Sequence, residues 1–273
     1  MRFELDSDQR DFAGAIDGLL GASDTAAVAR AWADGDHEPG LKLWGRLAEL
    51  GVTSLAAEPV FLAVAFERLG FHAVPGPWVE SVAYLGREEG IGTVAVPPHV
   101  PYALDADVAG VDAVGAMRVS VDRTRRLFEV ASHEPADDAA FNRAVLAVSA
   151  QLLGLGERVL TDSVAYVKQR RQFGREIGSY QAIKHALADV RIALDFARPL
   201  VFGAALGEIS PSAAKVTAGD AAYLASRTGL QVHGAVGYTA ELDLSIWLTK
   251  IRALVSAWGT PAFHRERLLG ELV

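Results

Sequence analysis

The feature that most constrains this chain is the helical periodicity that fills its C-terminal half. From Asp138 onward apolar residues recur three and four apart, and glycines and prolines cut the run into about four long segments, 138–170, 179–206, 210–232 and 242–269. Ser210 followed by Pro211 supplies an N-cap and a first-turn residue. Long amphipathic helices must bury their apolar stripes against one another, so four of them with short connections predict an antiparallel bundle. Alanine is abundant along the stripes, which predicts close packing.

The first eighty residues carry three shorter helical patterns. Phe3, Leu5, Phe12, Ile16, Leu19 and Leu20 recur at helical spacing before Gly21. A second pattern, 41–50, sets Leu43, Leu47 and Leu50 on one face and stops at Gly51; a third, 59–69, opens on Pro59 and closes at Gly70. Pro75 and Pro77 read as a bend. Between 81 and 136 the pattern changes to short apolar runs at 92–96, 108–117 and 126–130, with Pro97 and Pro98 as a turn, which predicts a few short strands. The expected architecture is mainly α in three parts: an N-terminal helical domain (1–80), a small β segment (81–136) and a C-terminal four-helix bundle (137–273).

Several kinds of chemistry are excluded by composition and spacing. With no cysteine there is no disulfide, thiol nucleophile or thiolate metal site. The seven histidines lie scattered, with no pair at metal-ligand spacing, so no metal site is expected. A net charge of −8 argues against a sequence-independent grip on nucleic acid. The N-terminal dozen residues are acidic and polar, unlike a secretory signal, and no long uninterrupted apolar stretch suggests a membrane span, so a cytoplasmic location is expected. No glycine loop sits between a strand and a helix, and there is no G-x-S-x-G elbow.

Two stretches carry more information: 166–189, YVKQRRQFGREIGSYQAIKHALAD, and 231–260, QVHGAVGYTAELDLSIWLTKIRALVSAWGT. They resemble the Y-x-x-x-R-x-x-F-G-x-x-I-x-x-x-Q and Q-x-x-G-G-x-G-Y segments of the acyl-CoA dehydrogenase family, followed by the family's E-G-T. The resemblance implies an FAD bound at a subunit interface, with these two motifs given across it to the neighbour's cofactor. It identifies Arg170 as the pyrophosphate arginine, a role suited to a guanidinium. Phe173 would pack beside it, Gln172 would help, Gln181 and Gln231 would hydrogen-bond the cofactor, and Gly234 would let backbone approach it. Tyr166 and Lys184 could face the cofactor or close the bundle.

The departures from the family pattern are as specific as the matches. Members of the family remove the acyl α-proton with a glutamate directly before the Gly-Thr, and here Trp258 stands in that place, with a bulk that would fill the space an acyl chain needs. The alternative position for the base, on the first bundle helix, is Ala144. Ala235, Thr249, Lys250 and Ala262 replace further family residues, and the middle segment lacks the family's T-E-P-x-x-G-S-D signature. The resemblance therefore implies a non-catalytic subunit that completes the FAD site of a full-length catalytic partner, expected as α2β2. The partner would hold most of the acyl-CoA, and heteromeric members of this kind act on bulky thioesters, notably steroid side chains. Two other readings stand beside it: a structural assembly protein without cofactor, and a homomeric flavoprotein using Glu157, Glu241 or Asp243 as an unorthodox base.

Overall fold

A computed structural model describes residues 4–96, 99–109, 114–130, 137–239 and 241–271. Four helices open the chain: α1 (Ser7–Gly21), α2 (Thr25–Asp34), α3 (Glu38–Glu49) and α4 (Pro59–Phe71). Helix α1 starts from a reciprocal capping box between Asp6 and Gln9, which satisfies two of the amides a helix leaves unpaired. Phe3 lies outside the described residues. Helix α2 is an addition to the expected three: its buried stripe is Ala26, Ala29 and Trp32, too small-residued to stand out as an apolar pattern, although Asp24 caps it and Gly35 ends it at φ 95°. The bend at Pro75 and Pro77 leads into one π-helical stretch, Val79–Tyr84, and Trp78 just before it stacks on Trp44 of α3 at 3.7 Å.

The middle of the chain forms two small sheets. β1 (Gly92–Val94) runs parallel to β3 (Asp107–Ala109), while β2 (His99–Pro101), β5 (Leu127–Val130) and β4 (Val114–Arg118) form an antiparallel sheet in the order β2-β5-β4. The run expected over 108–117 is thus two strands in different sheets, and its centre, like Pro97 and Pro98, lies outside the described residues. Strand β4 is exposed along its whole length.

Helix α5 (Asp138–Gln169) is the axis of the bundle, completed by α6 (Gln181–Ala205), α7 (Pro211–His233) and α8 (Leu244–Ser256). The expected fourth helix, 242–269, is in fact two, because the chain breaks over Ala257, Trp258 and Gly259 before α9 (Pro261–Glu271). By length and apolarity α5 could cross a membrane, but 83% of its most apolar window is buried inside the protein, where it serves as core. Helices α5 and α7 run parallel: Gly156 lies against Ala222, and Gly229 against Val159 and Ser163. One continuous apolar core joins the bundle to α1, α3 and α4.

That junction depends on two glycines. Gly154 of α5 and Gly70 of α4 let the helix backbones meet; a Cβ on Gly154 would lie 1.9 Å from the Glu67 carbonyl oxygen. Gly154→Ala should therefore destabilise the fold by about 3 kcal/mol or more, since backbone rather than a flexible side chain must move. Gly219→Ala in α7, where a Cβ meets nothing within 4 Å, should be neutral or stabilising by up to about 1 kcal/mol. Chemical denaturation of the two variants checks the contrast.

Candidate functional site

The cofactor-type residues gather at one end of the bundle. Arg170 is the residue after α5; it is exposed, its N–H bonds back to the Tyr166 carbonyl, and its own carbonyl accepts from Ile177 N–H at 2.9 Å. Its neighbour Arg171 is instead paired to Glu176 at 2.9 Å. Strands β6 (Arg171–Gln172) and β7 (Arg175–Glu176) form a tight hairpin whose two turn residues, Phe173 and Gly174, have φ of 52° and 83°. That is the twist a two-residue hairpin favours, yet it puts a bulky residue in the left-handed region, which costs roughly 1–2 kcal/mol. Phe173 is 90% exposed, so no packing in this chain repays that cost.

Gln181 is the first residue of α6 and Gln231 lies in the last turn of α7, both exposed. Gly234 follows α7 at φ 65° and ψ −141°, a conformation open to glycine, and a Cβ there would meet nothing within 4 Å. The ring of Tyr166 stacks on His233 at 4.2 Å, and His233 Nδ1 donates to the Gly229 carbonyl at 2.7 Å. Tyr166 thereby ties the end of α5 to the end of α7. Lys184 is exposed on α6. An exposed guanidinium, an exposed aromatic ring, three amide side chains (Gln172, Gln181, Gln231) and an open glycine fit one side of a dinucleotide such as FAD.

At the other end of α5 lies a cavity of about 610 Å³, bounded by Phe141, Leu127, Trp258, Phe263, Arg125 and His99 among others. Phe141 is in the first turn of α5, and the helix from there to Gln169 is about 42 Å long at 1.5 Å per residue. Trp258 is 2% exposed, and its ring packs on Tyr84 and Phe141 with centroids 5.2 and 5.9 Å away. The indole is therefore wall rather than filler, and the space expected to be lost remains open.

The backbone of that wall is held from behind. Trp258 has φ 57° and Gly259 φ 102°, and a Cβ on Gly259 would fall 2.5 Å from His264 Nε2. His264 is fully buried; Nε2–H donates to the Trp258 carbonyl at 2.9 Å, and Nδ1 accepts from the Ser212 hydroxyl at 3.0 Å. Burial pushes its imidazole down to about 4. Lys215, equally enclosed, donates to the Val255 carbonyl at 2.9 Å and is pulled down to about 7 by desolvation. Arg125, which also lines the cavity, pairs with Glu80 at 3.2 Å; outside the lining, Lys250 reaches Asp122 at 3.1 Å and Thr124 at 3.0 Å.

No carboxylate borders the cavity among the described residues. Ala144 is buried in α5. Glu157 is bound through both oxygens to Arg191 at 2.6 and 2.7 Å, Asp243 is paired with Arg30, and Glu241 is exposed. The structure brings none of the three to the cavity. Among the described residues there is also no cluster of potential metal ligands. Local sequence patterns did not mark Arg125 or the Lys250–Asp122 pair, because Glu80 lies 45 positions from Arg125 and Asp122 lies 128 positions from Lys250.

The family description "Acyl-CoA dehydrogenase, C-terminal domain" matches residues 136–272, half of the chain. The chain belongs to the acyl-CoA dehydrogenase family. Among curated relatives it is similar to the acyl-CoA dehydrogenases IpdE2 of Mycobacterium tuberculosis (28% identity, covering 82% of this chain and 75% of the relative) and Mycolicibacterium smegmatis (30%, covering 77% and 78%). Its fold is that of the ChsE4-ChsE5 complex from Mycobacterium tuberculosis (TM-score 0.79, 19% identity, covering 100% of this chain and 99% of that one). The Tcur3481-Tcur3483 steroid ACAD shares it too (TM-score 0.78, 19% identity, 97% of each chain). FAD is the cofactor of this family.

The depressed imidazole gives a pH test of the Trp258 wall. Between pH 6.5 and 4 the unfolded chain takes up a proton that buried His264 refuses, so its contribution to stability is complete above pH 6.5 and declines as pH falls towards 4. His264→Gln can donate to the Trp258 carbonyl and accept from Ser212 without titrating. Its unfolding free energy should fall less across that window than that of the natural protein, as urea titrations at several pH values would measure.

Proposed function

We propose that this chain is the non-catalytic subunit of a heteromeric FAD-dependent acyl-CoA dehydrogenase, joined to a full-length catalytic partner in an α2β2 assembly. The observation that carries this reading is the separation of two half-sites: cofactor-type residues at one end of α5, and about 40 Å away a cavity with no carboxylate among its described lining residues. One flavin cannot touch both ends of the same helix, so Arg170 and its neighbours serve a cofactor belonging to another chain. When bound, FAD supplies the two-electron acceptor for desaturation of the acyl chain. Arg170 holds the pyrophosphate, Phe173 covers the nucleotide from its strained turn, Gln181 and Gln231 hydrogen-bond it, and Gly234 leaves room for its approach.

Two further features support a partner. Gln181, His185, Ile192 and Phe196 share one face of α6, Leu224 and Gln231 share one face of α7, and both faces are exposed, with Phe196 72% exposed. A lone monomer has no use for that apolar stripe leading from the cofactor edge. The similar folds of the ChsE4-ChsE5 complex and the Tcur3481-Tcur3483 steroid ACAD favour a two-chain enzyme acting on a bulky acyl-CoA such as a steroid side chain.

Flavin absorbance of the co-expressed complex tests the reading. Arg170→Ala removes a charge-assisted contact of about 1.5–3 kcal/mol and should weaken FAD retention tenfold or more, with the complex still assembled. Full flavin content in that variant would instead favour a structural subunit. Trp258→Glu in this chain alone should give no acyl-CoA turnover, because the middle segment would still lack the T-E-P-x-x-G-S-D signature of the family's sheet domain; turnover would revive the homomeric reading.

A further inference from the structure

We propose that the cavity beside Trp258 is a ligand site in its own right, taking an uncharged apolar small molecule with one hydroxyl or carbonyl group, which it binds without reaction. This goes beyond the cofactor reading and does not rest on it. At about 610 Å³ the cavity has the size of a small-molecule site. Its body is apolar, formed by Leu127, Phe141, Trp258 and Phe263. It is also fixed in shape, because His264 and Ser212 hold the Trp258 backbone and the close approach of His264 leaves Gly259 no alternative residue.

The charge balance of the walls decides the class of ligand. Arg125 is buried with its charge balanced by Glu80 through one amino group, which leaves its Nε without a partner, and Lys250, outside the lining, is engaged by Asp122, so each cation already has its anion inside the protein. A carboxylate or the phosphates of a coenzyme A ester would enter without an unpaired arginine or lysine among the described lining residues, and an uncompensated charge is costly to desolvate. His99, the other ionisable side chain among the described lining residues, is a single partly buried ring. Polar recognition of a neutral oxygen is available from the hydroxyls of Ser256 and Thr260 at the exposed mouth, and two lining residues, Arg125 and Trp258, each carry a buried N–H without a partner. The Thr260 oxygen accepts from Phe263 N–H at 3.2 Å, which leaves its O–H to donate to a neutral oxygen. No carboxylate stands among the described lining residues, so none of them can remove a proton from carbon in the way a dehydrogenase base does.

The test is equilibrium dialysis of the full chain with 2-naphthol, 2-naphthoate and octanoyl-CoA at pH 7.5. One 2-naphthol should bind per chain and be recovered unchanged, 2-naphthoate should bind at least tenfold more weakly, and octanoyl-CoA should not displace the naphthol. Ala253→Phe on the α8 wall and Ser256→Trp at the exposed mouth should each weaken 2-naphthol at least tenfold, while the flavin content of the co-expressed complex stays unchanged. Absence of naphthol binding, equal or tighter binding of the naphthoate, displacement by octanoyl-CoA, or indifference to both variants would each overturn the proposal. None of these outcomes depends on whether Arg170 holds a flavin, so the two readings fail separately.

Discussion

The rest of the molecule depends on how closely α4 and α5 cross. Gly70 faces the backbone of Gln151, Gly154 faces the carbonyl of Glu67, and in both places a single added carbon would collide with main chain. Two residues further on, Gly156 gives the opposite side of α5 to Leu194 of α6 and Ala222 of α7. One short stretch of α5 is therefore gripped from both sides. The crossing also fixes a charge: Glu67, 2% exposed, is held by Arg68 at 2.8 Å and by Arg198 of α6 at 2.6 Å. A buried carboxylate is tolerable only with its partners in place, so the N-terminal helices and the bundle are locked by geometry and electrostatics at the same point.

With its middle clamped, α5 acts as a rigid spacer between two regions of different chemistry. One end carries Phe141 and the closed wall of the cavity; the other carries Arg170, the strained Phe173 turn and, through the Tyr166–His233 stack, the exposed end of α7. The contrast in burial is informative. Among the described residues lining the cavity the one arginine is matched by Glu80 inside the chain, whereas the far end leaves aromatic, amide and guanidinium groups in solvent. A surface that tolerates an unpacked phenylalanine at positive φ is shaped for something outside the chain.

Local signals in the sequence reached the helices and the cofactor edge, since both are written in neighbouring residues. Ser210–Pro211, Pro59 and the glycines at 21, 51 and 70 mark helix ends within a few residues of those observed, and Phe173–Gly174 sits in a motif whose hairpin is purely local. The rest was set by distant partners. Helix α2 is stabilised by packing of Trp32 near Gly40 rather than by a strong stripe of its own. Strand β2 exists because β5 lies beside it. The break at Trp258 could not be read as a break because tryptophan is among the last residues expected at positive φ, and Lys250 finds Asp122 only across a separation of 128 positions in the chain.

That break shows how the shape of a turn can be independent of the side chain it presents. The contacts that hold the Trp258 turn are made by its carbonyl with His264 and, two residues before the helix break, by the Val255 carbonyl with Lys215. Both are backbone contacts, indifferent to which side chain residue 258 carries. Gly259 needs its absent Cβ because of His264, again independently of residue 258. The side chain on the cavity side is thus free to be carboxylate or indole at little cost to the loop, and an indole exchanges a proton-accepting group for an aromatic surface against Tyr84 and Phe141. The backbone thus sets the shape of the cavity wall, and the one side chain at 258 sets its surface chemistry.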